Sequence, residues 1–353
     1  MFLVKDLFME SSLIFFLFFI FYLIFINFLF KKFHISLDTE ALGEKHKTLL
    51  RKDAFVPLSG TVYFLPLIIF FFNYLDLVLI ICCCLLFTLG YLADLKIITS
   101  YKIRLIAQFI FIAVVCFLDK EILINIRLDL IDNLMSHDIL RILICTFFFM
   151  VLINGYNLID GTNCLCSANF LIITIFLFLL INDLNIEYVG QELKILIVAV
   201  LVFVIFNFFG LNFLGDGAVY GISFFLGYIF LKISLVSITI SPYFIANLLW
   251  YPAFENLFSI IRRNLLKQNN YLPDNDHLHH LIFKFVKKIN LIKNNVLLSS
   301  MVGIFINFYL IINYLIGFKY YHHTSVQITL ILLGIIVYIT VYYKLDKKLK
   351  KNS

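Results

Sequence analysis

Charge is what this sequence has least of. Only 14% of its 353 residues are Asp, Glu, Lys or Arg, against 62% hydrophobic. With a mean hydropathy of +0.99 and repeated apolar runs that match about 30 Å of hydrocarbon, the chain is a polytopic membrane protein. No run alternates in the strand period, which argues against a β-barrel. The seven cysteines offer no CxxC spacing. Cys82, Cys83 and Cys84 are consecutive inside one apolar run, and Cys164 and Cys166 are separated by one residue, a pattern of reduced packing cysteines rather than of a metal or redox site. No small-residue cleavage site follows the first apolar run, and its basic flank, Lys31 and Lys32, comes after it. That is an uncleaved anchor, not a signal peptide. No internal repeat stands out, which counts against a transporter built from inverted halves. No nucleic-acid-binding motif accompanies the net charge of +6, which reads as loop orientation plus attraction to anionic lipid.

Hydropathy predicts an all-α bundle of about eleven transmembrane helices, over residues 11–30, 57–73, 76–92, 103–118, 139–153, 164–181, 193–210, 218–232, 238–257, 295–315 and 325–343. Ser241-Pro242 marks a turn or kink before the ninth. The residues ahead of the first span carry Lys5 against Asp6 and Glu10, so the N-terminus is expected outside. The odd-numbered connections then fall inside, and they hold the cations: Lys31, Lys32, Lys45, Lys47, Arg51 and Lys52 in the first, and Arg262, Arg263, Lys267, Lys284, Lys287, Lys288 and Lys293 in the largest. The C-terminal tail, 344–353, adds five lysines on the same side.

The scarce polar residues recur in compact clusters, all on the inner face of this topology. Polar groups near hydrocarbon are costly unless water, a partner or a ligand meets them. In NGYNLIDGTN, Asn154, Asn157 and Asp160 recur every three residues and so lie near one face of a helical end. Amides beside a carboxylate suit a nucleotide-sugar site, although Asn, Asp and Gly also favour plain loops. In NFLGDGA, Asp216 stands between two glycines at a helix entrance, as a helix cap or as a carboxylate with room for Mg²⁺ and diphosphate oxygens. In ADLKIITSYKIRLIAQ, Lys96, Lys102 and Arg104 fit inner-face anchors, whereas Asp94 follows a helix ending at the interface, where a carboxylate is unfavourable beside anionic lipid. In PDNDHLHH, His277 and His280 share a face at i, i+3, with His279 pointing elsewhere. Zinc is a rival reading without a cysteine or an HExxH spacing. A diphosphate clamp of imidazoles at a helix N-terminus, with Arg262 and Arg263 upstream, fits better.

In this order and at these separations, NxxNLIDG, FxGD and HLHH resemble the polyprenyl-phosphate N-acetylhexosamine-1-phosphate transferases, glycosyltransferase family 4. The resemblance runs from about Asp38 to about Lys288 within a single 353-residue domain. PAFENLFSIIRR, with Glu255 after Pro252, looks most like the branch that initiates O-antigen. The resemblance implies a multi-pass enzyme of the bacterial inner membrane, with a periplasmic N-terminus and a cytoplasmic C-terminus and active site. Its reaction would transfer sugar 1-phosphate from a UDP-N-acetylhexosamine, UDP-GlcNAc in the simplest case, to undecaprenyl phosphate with release of UMP. It implies Mg²⁺, with Mn²⁺ as a substitute, a membrane-lipid environment, no nucleic-acid partner, and it allows a homodimer. Carried over residue by residue, Asp94, Asp216 and His279 would be catalytic, and Asp216 and Asn157 would hold the metal. Lys45, Lys102, Asn154, Asn157, Asp160, Arg262, Arg263, His277 and His280 would bind substrate. Pro57 and Gly60 resemble a degraded PxxGG stretch.

Two positions depart from the family pattern. Ala93-Asp94 replaces a paired Asp-Asp, which would inactivate the chain if the first carboxylate were an obligatory base. A dianionic lipid phosphate needs little base at neutral pH, so activity is expected to survive. Gly217-Ala218 replaces a Ser-containing turn, expected to affect fit more than chemistry. A transporter of an anionic substrate and a degenerate paralogue are the competing readings; a transporter should carry ionisable residues at mid-membrane or on both faces.

Overall fold

The computed structural model describes residues 2–38, 56–70, 76–119, 126–186, 190–237, 239–265 and 276–351. Lys45, Lys47, Arg51, Lys52, Lys267, Pro273 and Asp274 lie outside the described residues. In hydrocarbon each backbone polar group needs an internal partner, and long Leu-, Ile- and Phe-rich runs meet that demand as helices. The described helices are α1 (Phe2–Phe33), α2 (Gly60–Phe70), α3 (Leu77–Asp94), α4 (Tyr101–Leu118), α5 (Asp129–Met135), α6 (Asp138–Ile159), α7 (Leu165–Asp183), α8 (Gly190–Phe208), α9 (Gly215–Val236), α10 (Pro242–Leu265), α11 (Leu278–Lys288), α12 (Asn295–Lys319) and α13 (Thr324–Lys350). A two-residue antiparallel pairing, β1 (Leu37–Asp38) with β2 (Val56–Pro57), is the sole departure from helix among the described elements.

Ten of these helices are long and apolar enough to cross a membrane. The second predicted span corresponds to α2, whose 11 described residues reach only about 16 Å at 1.5 Å per residue. The up-and-down alternation still holds. The end of α1 meets the start of α2 through Leu58 N–H donating to Ser36 O (2.9 Å). From there α2 leads away, and α3 returns to place Asp94 beside the start of α9. Two short helices, α5 and α11, were not among the predicted spans. α10 begins at Pro242, where the Ser241-Pro242 turn was expected.

The bundle is organised around α9, with 78% of its span buried, against 22% for α4 and 17% for α13. Lipid is as apolar as leucine, so apolar burial alone drives little helix association. Close approach over small residues and hydrogen bonds across helices do the work. α9 packs antiparallel on α3 through Gly217 and Gly221, four residues apart. A Cβ at Gly217 would fall 2.7 Å from Phe87 O and 2.9 Å from Tyr91 N, both backbone atoms of α3. Glycine at this departure from the family pattern is therefore set by packing.

The α3–α9 pair carries a charged cluster at each end. Asp94 and Asp216 lie at one. At the other, Lys232 of α9 meets Asp119 (2.8 Å) and Asp76 (3.8 Å), and Tyr228 Oη donates to Asp119 (2.6 Å) and Asp76 (3.0 Å). This second cluster corrects the expectation that polar residues gather at one face only. It ties the far ends of α3, α4 and α9, so ionisable residues stand at both ends of the bundle and their placement does not by itself separate an enzyme from a transporter.

Replacing Gly217 with Ala is expected to cost about 1–3 kcal/mol through overpacking of α3 on α9, read as a lower Tm of the detergent-solubilised protein. An unchanged Tm would mean the two helices do not approach as closely as described.

Candidate active site

Asp94 is the last residue of α3. A carboxylate at a helix C-terminus opposes the helix dipole, yet here a second helix begins beside it. Asp94 Oδ1 accepts from the backbone N–H of Asp216 (2.9 Å) and Oδ2 from that of Gly217 (3.3 Å). Asp94 thus caps α9 from another helix. Gly215 makes the approach possible: its φ is +78°, and a Cβ there would stand 3.0 Å from Asp94 Cγ.

That arrangement releases Asp216 from the capping role a helix entrance suggests. Its Oδ2 meets Arg104 of α4 at 2.5 Å and accepts from Tyr220 Oη at 3.3 Å. Arg104 and Asp216 are 24% and 21% exposed, so the pair is open to an incoming ligand. The FLGD segment is also fastened to the Pro57–Gly60 stretch, with Phe213 N–H donating to Pro57 O (2.9 Å) and Gly60 N–H to Phe213 O (3.4 Å).

One turn beyond Arg104, the buried Gln108 carries the site onto α6: Asn154 Nδ2 donates to Gln108 Oε1 (3.0 Å) and to Met150 O (2.8 Å). Asn157 follows on the same helix, half-buried, and Asp160 forms the C-cap of α6. The loop after it is held from three directions. Asn163 N–H donates to Ser299 Oγ (3.0 Å), Cys164 N–H to Asn207 Oδ1 (2.7 Å), and Asn307 Nδ2 to Cys164 O (3.0 Å). Asn207 Nδ2 in turn donates to Asn212 O (2.8 Å). A single amide side chain therefore fixes both the NLIDGTN and the NFLGD segments.

The histidine cluster closes the far side. A Cβ at Gly161 would lie 2.8 Å from His280 Nε2 and 3.3 Å from His279 Cδ2, so the NLIDG and HLHH segments are in contact. Contrary to the i, i+3 expectation, His279 does not point away. The ring centroids of His277 and His279 are 5.6 Å apart with planes within 3°, and those of His279 and His280 are 4.2 Å apart. His277 is the N-cap of α11, with extended backbone (φ −72°, ψ 153°), so helical facing rules do not govern it. All three rings are buried. His277 Nδ1 lies 2.9 Å from Glu255 Oε1 and 3.2 Å from Ser259 Oγ, both on α10.

The structure thus brings together Asp94, Asp216, Asn154, Asp160, His277, His279 and His280 at one end of the bundle. Arg262, buried, and Arg263, half-buried, end α10 on that side, and Lys102 is exposed in the first turn of α4. No contact between Asn157 and Asp216, the two expected metal ligands, is found among the described residues. Lys45 lies outside them. Ala93, half-buried in α3, accepts at its carbonyl from Lys96 N–H (2.9 Å). Among the described residues no group of three or more His, Cys, Asp or Glu is arranged to hold a metal. Arg104, Gln108 and Asn207 were not assigned to the site. A lone amide in an apolar run, as in FVIFNFFG, was the available signal for Asn207.

The structure is a many-spanned helical bundle with charged and amide side chains gathered at one end. Residues 77–236 match the model of glycosyl transferase family 4. The matched segment contains Asp94, Arg104, Asn154, Asn157, Asp160 and Asp216 and ends before the histidine cluster. The match supports a phospho-sugar transferase. No curated protein matches the chain.

Substituting Asp94 with Ala is expected to lower stability by about 0.5–2 kcal/mol through loss of the cap, while Asn, which retains an acceptor oxygen, loses much less. Thermal unfolding in detergent distinguishes the two; equal losses would show that charge rather than capping is what α9 needs.

Proposed function

We propose that this chain transfers N-acetylhexosamine 1-phosphate from its UDP-activated form to undecaprenyl phosphate, starting a lipid-linked cell-envelope glycan such as O-antigen. The observation that carries this reading is the gathering of the polar segments at one end of the bundle: Asp94 holds the start of α9 and Asp216 meets Arg104, Gln108, one turn further along α4, accepts from Asn154 of α6, and Gly161 seats the next segment against His279 and His280. A phosphate oxygen of the lipid attacks the β-phosphorus of the UDP-sugar. The bond from that phosphorus to the bridging oxygen of the α-phosphate breaks, and UMP leaves with the electron pair. The protein's task is to bring two anions into line and to neutralise them, so positioning and electrostatics dominate. Arg104, Arg262, Arg263 and the imidazoles supply positive charge and N–H donors. Asn154, Asn157 and Asp160 supply amide and carboxylate groups for the nucleoside and sugar. A dianionic phosphate needs no proton removed, so Ala93 is no bar to turnover and Asp94 serves by shaping the start of α9.

The residues fit a magnesium ion. Asp216 Oδ1 is a hard oxygen with no protein partner among the described residues, its Oδ2 being used by Arg104 and Tyr220. Mg²⁺ is commonly held by one or two carboxylates with substrate phosphates completing its shell, so a three-residue protein cage is not required. Asp216 would hold it, with Mn²⁺ as a substitute, and when bound it would offset the repulsion between nucleophile and diphosphate.

Charge asymmetry supports a site facing the cytoplasm of a bacterial inner membrane. Lys31 and Lys32 end α1, Lys287 and Lys288 end α11, whose N-cap is His277, and Lys347, Lys348 and Lys350 end α13. By the positive-inside rule these basic ends are cytoplasmic and the N-terminus is periplasmic.

The test is UMP release by the purified protein with undecaprenyl phosphate, Mg²⁺ and a panel of UDP-N-acetylhexosamines. Metal-dependent UMP from one donor is expected, reduced about 10²- to 10³-fold by Asp216→Asn, the range for losing one transition-state electrostatic group. No UMP from any donor with folded protein contradicts the proposal.

A further inference from the structure

Glu255 is the most deeply buried acid near the site, with 0% of its surface exposed. An isolated carboxylate so placed would be very costly. It stands on α10 one turn before Ser259 and two turns before Arg262, and all three side chains are buried, making one polar stripe that faces the start of α11. The partner it meets there is His277, at 2.9 Å through Nδ1.

One proton lies between Glu255 Oε1 and His277 Nδ1. We place it on Nδ1, with the carboxylate accepting, as an ionised carboxylate can only accept. Ser259 Oγ, 3.2 Å from the same nitrogen, can share that proton as a second acceptor but cannot replace the carboxylate as its counter-charge. With Nδ1–H committed to Glu255, Nε2 is left as the nitrogen free to act elsewhere. The ring plane is set as well, and its near-parallel stack on His279 passes that orientation to the pair of imidazoles touching Gly161.

We propose that Glu255 is a positioning residue of the transfer reaction: it locks His277 in the Nδ1–H form and, through the ring stack, aligns the histidine cluster against the NLIDG segment. It does not touch substrate. Oriented imidazoles of this kind lose about 10- to 100-fold in function when the carboxylate behind them is removed. The activity arm of this inference rests on the transferase reading; the spectroscopic arm does not.

The experiment joins both arms. In ¹⁵N-histidine-labelled protein, the His277 signals are assigned by difference from His277→Asn, and the Nδ1 shift reports whether that nitrogen bears the proton. Protonated Nδ1 is expected in the native protein. In Glu255→Leu a mixture of tautomers is expected, with kcat for UMP release down about 10- to 100-fold and KM changed much less. Glu255→Gln retains an acceptor oxygen and is expected to recover most of both. An unprotonated Nδ1 in the native protein overturns the inference whether or not any UMP is released. Equal turnover by the native and Glu255→Leu proteins overturns it as well. Native protein that releases no UMP but shows the protonated Nδ1 contradicts the transferase reading and leaves the positioning of His277 by Glu255 standing.

Discussion

The start of α9 depends on a carboxylate from another helix. A helix N-terminus in a membrane leaves N–H groups that neither lipid nor the helix itself can satisfy, and the first residues of α9 are glycine, aspartate and glycine. Asp94 of α3 accepts from two of those groups. Its own position at the end of α3, unfavourable for that helix, becomes favourable because α9 begins there. The close α3–α9 contact over Gly217 follows, and so does the freedom of Asp216 to face Arg104 instead of its own backbone. The cluster of Lys232 with Asp76 and Asp119 fastens the same helix pair at its other end.

The remainder of the site is hung from this pair by neutral amides. Gln108 joins α4 to α6 through Asn154, and Asn207 joins the loop after α6 to the segment before α9. Asn307 braces the same loop from α12. Amides carry no charge to desolvate and offer both donor and acceptor, so they suit interhelical fastening in a low-dielectric medium. The charged side chains of Arg104 and Asp216 pair with each other beside these amides.

The long helices were legible because apolar length is a local property, and the family motifs because their order survives along the chain. What was not legible depends on partners distant in sequence. Asp94 reads as an exposed carboxylate until α9 is placed beside it, 122 residues later. His279 was assigned to a separate face because helical periodicity was applied to His277, which caps α11 from outside the helix. Glu255 was a mark of likeness to one branch of the family, with nothing in PAFENLF to show that its partner is His277. The seven residues of α5 and the two-residue strands are too short to leave a periodic signal. The second charged cluster was not legible because its members, Asp76, Asp119 and Lys232, are far apart in sequence and meet only when α3, α4 and α9 pack.

The central claim is that the sugar leaves with the β-phosphate attached. Two preparations of the UDP-N-acetylhexosamine that supports turnover, labelled with ³²P at the α- or the β-phosphorus, test it directly in membranes containing the protein and undecaprenyl phosphate. Transfer of sugar 1-phosphate puts the β-label in the lipid and the α-label in UMP. Release of both labels together as UDP would mean that the sugar alone is transferred, and would contradict it.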